Sequence, residues 1–114
     1  MKPEELQLIL EEGEGYKIEF KESLSAIDKE MVAFANASGG RIFLGITDNR
    51  QVKGTTITNS MKSRIQDIAN NCEPKIKIIF EDAGNILIVH VREKINLSVA
   101  LLDFSRESVP ILKK

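Results

Sequence analysis

The sequence predicts an α+β fold, a mixed β-sheet flanked by about three helices, and three observations carry that prediction. Apolar residues switch repeatedly between a spacing of 3.6 and a spacing of two along the chain. The resulting segments fall in the order α-β-α-β-(β)-α-β-β, which is neither the strict alternation of a parallel α/β fold nor an all-β series. At 114 residues, with 42% apolar and 29% charged, the chain has material for one core, a single domain over residues 1–114, and a composition unlike that of disordered or collagen-like chains.

Pro3, Glu4 and Glu5 suit a helix N-terminus, and Leu6, Ile9 and Leu10 continue at helical spacing until Gly13. From Tyr16 the period becomes two, with Tyr16, Ile18 and Phe20 facing one way and Lys17, Glu19 and Lys21 the other. Ser25 with Asp28 reads as a capping box, and Ile27, Met31, Phe34 and Ala35 form the stripe of a second helix over residues 28–37, stopped by Gly39 and Gly40. Residues 41–47 read as a strand with Ile42, Leu44 and Ile46 on one face and Phe43 on the other. Asp48, Asn49 and Arg50 supply a turn and Gly54 a second break, with a short hairpin partner between them. Asn59 or Ser60 caps a third helix whose Met61, Ile65, Ile68 and Ala69 share a face, ending before Pro74. Residues 75–81 alternate, a turn occupies 82–85, and 86–92 complete a hairpin. Residues 97–104 fit either helix or strand, and Pro110 discourages a helix after them.

Several function classes drop out on composition. The net charge is −1, so any phosphate-binding surface must be a local patch. The apolar run 86–91 is six residues long and includes His90, against the ~20 needed to span a bilayer, so no membrane association is expected. Lys2, Pro3, Glu4 and Glu5 leave no apolar segment after Met1, which makes a cytoplasmic location the expectation. A lone Cys72 and a lone His90 exclude an internal disulfide and a Cys/His zinc site, and neither residue has the helper pattern of a nucleophile. Neither GxxxxGK[ST] nor GxGxxG occurs, and Gly39-Gly40 follows a helix, where a C-cap is the stronger reading than an anion loop.

Two constellations remain. Glu14, Glu19 and Asp48 lie in or beside predicted strands. They read either as an ordinary solvent face with an Asx turn or as an all-oxygen site for Mg²⁺ or Mn²⁺ that would activate water at a phosphodiester. Lys17, Lys21, Arg41, Arg50, Lys53, Lys62, Arg64, Lys75 and Lys77 fall mostly at element ends or on exposed faces, either as dispersed solubilising charges or as one phosphate-tracking patch.

Read in register, these residues resemble the Schlafen-type AlbA-like DNA-binding domain family, formerly described as a divergent AAA domain. The resemblance rests on Glu14 before Ile18-Glu19-Phe20-Lys21, then Ala33-Phe34-Ala35-Asn36 with Gly39-Gly40, and then Ile42 to Gly45 leading to Ile46-Thr47-Asp48. Gly54 after Val52 and the Pro74 turn complete it over about residues 5–92. It implies an α+β nucleic-acid-binding fold, common in proteins described as transcriptional regulators or helicase-related. Vertebrate Schlafen members include RNA endonucleases whose acids match Glu14, Glu19 and Asp48 here, with Lys21 in the same E-F-K segment. The family usually continues after its last hairpin with a proline and a glycine-arginine-glycine segment, whereas residues 93–114 contain no glycine, so the tail reads as diverged or truncated.

The leading expectation is therefore a domain that binds nucleic acid, DNA or RNA, through backbone phosphates, with Lys17, Lys21, Arg41 and Arg50 as contacts. The alternative from a second class is a Mg²⁺- or Mn²⁺-dependent endoribonuclease in which Glu14, Glu19 and Asp48 hold the ion and Lys21 stabilises phosphorane charge. A third reading is a degenerate interaction module that forms a homodimer through its sheet.

Overall fold

A computed structural model describes residues 1–15 and 17–94, so the expectations for Tyr16 and for residues 97–104 lie outside the described residues. The elements are α1 (Pro3–Glu12), β1 (Ile18–Lys21), α2 (Ile27–Asn36), β2 (Gly40–Leu44), α3 (Asn59–Asn70), β3 (Ile78–Ala83) and β4 (Ile86–Val91). The strands form one mixed sheet in the order β1-β2-β4-β3. β1 and β2 are parallel and joined through α2, while β4 runs antiparallel to both β2 and β3. This is the α+β arrangement with three helices that the periodicities predict.

The sheet is covered on both faces. Ile42, Leu44, Leu87, Val89 and Val91 face α2 and α3, meeting Ile27, Met31, Phe34, Ile65 and Ala69. Phe20, Phe43, Ile46, Ile86 and Ile88 face the other way and are capped by Leu6, Ile9 and Leu10 of α1. The Phe20 and Phe43 rings meet edge-on at 5.9 Å between centroids. A two-sided core explains why β4 is an almost unbroken apolar run, since both sides of that central strand are buried.

Five local expectations are corrected. Ile46 packs with Phe43, not with Ile42 and Leu44, because the alternation breaks at Gly45. The Gly45 and Ile46 N–H groups both donate to Lys21 O, at 2.7 and 3.2 Å, which is the geometry of a bulge. Gly45 holds φ 107°, and a Cβ there would stand 3.0 Å from the Gly54 backbone, so the bulge is built for glycine.

The Ser25–Asp28 box does not form. Ala26 at φ 57° occupies the N-cap of α2 without a side-chain bond, and Ser25 N–H turns back to Ser23 Oγ. Thr58, one residue before the expected cap, accepts from Met61 N–H at 3.1 Å and starts α3 at Asn59. The last hairpin pairs as far as Ala83 with Ile86, so its turn shrinks to Gly84-Asn85, whereas Lys75 to Lys77 precede β3. The hairpin partner expected between Asp48 and Gly54 is a single bridge, Ile46 with Val52.

Candidate nucleic-acid interface

The strand directions dictate where the charges converge. β1, β2 and β3 start at the same end of the sheet, and β4 finishes there. Lys17 precedes β1, Arg41 opens β2, Lys75 and Lys77 lead into β3, and Arg92 and Lys94 follow β4. Backbone bonds fix them in pairs: Arg41 N–H donates to Lys17 O at 2.9 Å, and Arg92 N–H to Lys77 O at 3.0 Å. Lys94 N–H donates to Ala35 O at 2.7 Å, tying the chain after β4 to the end of α2.

These six cations line a cavity of about 720 Å³ with Glu93 as its single carboxylate. Its apolar lining includes Ile18, Pro74, Ile76 and Val91. His90 lies at the same edge, directly across from Arg41 in the ladder, with Nε2 held 2.8 Å from Glu81 Oε1. The Arg41 guanidinium lies 5.5 Å from the centre of the Phe43 ring. Among the described residues, none of the six takes part in an ion pair, whereas Lys53 pairs with Glu22 at 3.3 Å and Lys62 with Asp82 at 3.0 Å.

The glycines beside the cavity have packing reasons. A Cβ on Gly40 would lie 2.4 Å from the Phe34 ring, and one on Gly39 would lie 2.8 Å from Val91 O. Gly39, at φ 84°, also donates its N–H to Phe34 O at 2.8 Å and closes the C-terminus of α2, so the C-cap reading holds.

Of the four cations singled out from sequence, Lys17 and Arg41 line the cavity and Lys21 lies at the far end of β1. Arg50 is engaged elsewhere, with Nη1 donating to Glu11 O at 3.1 Å and Leu10 O at 3.4 Å at the C-terminus of α1. Lys75 and Lys77 stood among the wider basic set. Arg92 and Lys94 were missed; the hairpin signals only that the end of β4 returns to the start of β3, beside Lys77, and the strand order is what brings it to β2 as well.

The acids divide as well. Glu14 Oε2 accepts the Phe20 N–H at 2.8 Å, satisfying a donor on β1, which lies at an edge of the sheet. Burial, then hydrogen bonding to the Glu14 carboxyl and repulsion from Glu14 and Glu30, raises the Glu19 carboxyl to about 8. The structure thus joins Glu14 and Glu19 and adds Glu30, which sequence reading did not select. Asp48 is exposed in the turn after the bulge and is not among the groups acting on Glu19. Among the described residues, no three His, Cys, Asp or Glu side chains are placed to hold a metal ion. The three-acid Mg²⁺ or Mn²⁺ site therefore does not fit the described geometry. Cys72 Sγ bonds Ile68 O at 3.4 Å, a structural contact.

The comparison that bears on this architecture is a family model described as Schlafen, AlbA_2, which matches residues 14–110. The chain belongs to the Schlafen AlbA_2 family. Schlafen AlbA_2 membership is consistent with a nucleic-acid-binding domain, and the match begins at Glu14 and takes in every residue of the cationic cavity. No helix among the described residues is long and apolar enough to cross a membrane.

Proposed function

We propose that this Schlafen AlbA_2 chain binds nucleic acid at the sheet end, with Lys17, Arg41, Lys75, Lys77, Arg92 and Lys94 meeting backbone phosphates. The observation that carries the reading is the gathering of six cations around one concavity, none of them in an ion pair among the described residues, in a chain whose net charge is −1. Like charges held together raise the energy of the unliganded surface, and an anionic backbone relieves that repulsion as it releases its own counterions. Binding of this kind suits a role in transcriptional regulation, as the resemblance implies. Lys21 and Arg50 are not part of the proposed surface.

The test compares the wild-type chain with Lys77→Ala/Arg92→Ala and with the control Lys53→Ala, each checked for folding by circular dichroism. Loss of two phosphate contacts should weaken oligonucleotide binding by about tenfold or more, while the control should change it by less than about twofold. Equal binding by all three proteins contradicts the assignment of the surface.

A further inference from the structure

Resting on that surface, we propose that the cavity selects one unpaired strand over a duplex and does so without sequence preference. The first argument is shape. The cations stand around a concavity of about 720 Å³, within the roughly 300–1,000 Å³ of sites that surround a small ligand. They extend over four strand ends, about 14 Å across three inter-strand spacings. A short run of a single backbone can enter such a space and meet cations from both sides. A duplex is convex, and proteins read it by inserting a helix or a two-stranded ribbon into the major groove, about 12 Å wide. The β3–β4 hairpin turn, the natural ribbon tip, lies at the opposite end of the sheet.

The second argument is the lining. Ile18 and Pro74 contribute apolar surface beneath the cations, backed by the buried Ile76 and Val91. In a duplex the base faces are stacked away and only the groove edges and the charged backbone are offered, so this lining would have nothing to cover. An unpaired strand turns sugars and base faces outward and gives the lining a partner. The lack of sequence preference follows from how the described lining residues are used: no Phe, Tyr, Trp, Asn or Gln is present, the His90 ring is held at Nε2 by Glu81, and the two arginines are assigned to phosphates. Phosphate contacts position a strand but carry no sequence information.

Fluorescence anisotropy with a labelled oligothymidylate, a mixed-sequence single strand of equal length and the corresponding duplex tests the proposal on the full chain at one low salt concentration. The two single strands should bind within about threefold of each other, and the duplex about tenfold more weakly. Lys77→Ala/Arg92→Ala should weaken the single strands. A duplex that binds as tightly as the single strands, yet still loses affinity in that variant, overturns strand selection and leaves the surface assignment standing. A preference above about tenfold between the two single strands overturns sequence independence. Failure of every probe to bind overturns the surface assignment itself.

Discussion

Glu19 shows at the residue scale how a strand carboxyl acquires unusual chemistry without joining a metal site. It sits on the side of β1 that faces α2, in register with the fully buried Ile42, and its neighbours there are Glu14 and Glu30. Its folded value of about 8 lies above the ordinary 4.5, so between those values the folded chain keeps a proton that the unfolded chain releases. Stability must then fall as pH rises through that window. Glu19→Gln, which fixes a neutral side chain of the same shape, should raise the thermal midpoint above about pH 8 and leave it unchanged below about pH 4.5. An unchanged difference at both pH values, measured by calorimetry, would contradict the placement. Gly40 makes a second residue-scale case: Gly40→Ala forces a methyl into the Phe34 ring and should destabilise by about 1–3 kcal/mol in denaturant titration. Alternation made the opposite faces of Glu19 and Phe20 legible in sequence. Glu30 was not legible as a partner, because its approach to Glu19 depends on how α2 packs over the sheet.

At the scale of elements, periodicity located the three helices and four strands of the described residues, and the errors lie where one hydrogen bond decides. β2 alternates until Gly45, and only the shared Lys21 carbonyl reveals that Ile46 has changed face. The Ser25–Asp28 spacing was suggestive, but Ala26 in the left-handed region carries the N-cap of α2. The cap of α3 is clearer physically, since Thr58 satisfies the Met61 N–H and leaves an orphan donor if truncated. Thr58→Ala should therefore destabilise by about 1 kcal/mol. Arg50 serves an element too. Its guanidinium binds the last carbonyls of α1, and a Cβ on Gly13 would stand 2.8 Å from Nη1. Arg50→Ala should destabilise by about 0.5–1 kcal/mol in chemical denaturation and leave nucleic-acid affinity unchanged. A large loss of binding in that variant would return Arg50 to the contact surface.

For the whole molecule, topology does what composition hides. A chain with a net charge of −1 assembles six cations because three strands start and one ends at the same edge of a four-stranded sheet. Lys17 and Arg41 were legible from their positions at strand starts, while Arg92 and Lys94 required the strand order. The three-acid site was legible as one of two readings of strand placement and as what the resemblance implies, and the fold joins Glu14 with Glu19 while Asp48 is not among the groups acting on Glu19. The central claim is that phosphates bind at this edge, and salt dependence measures it most directly. For a single strand meeting about three or four of these cations, log K should fall against log salt with a slope of about −2 to −3. In Lys77→Ala/Arg92→Ala the slope should shrink by about 1–2, while Lys53→Ala should keep it. A flat salt dependence, or a slope that the double substitution leaves untouched, would contradict the account.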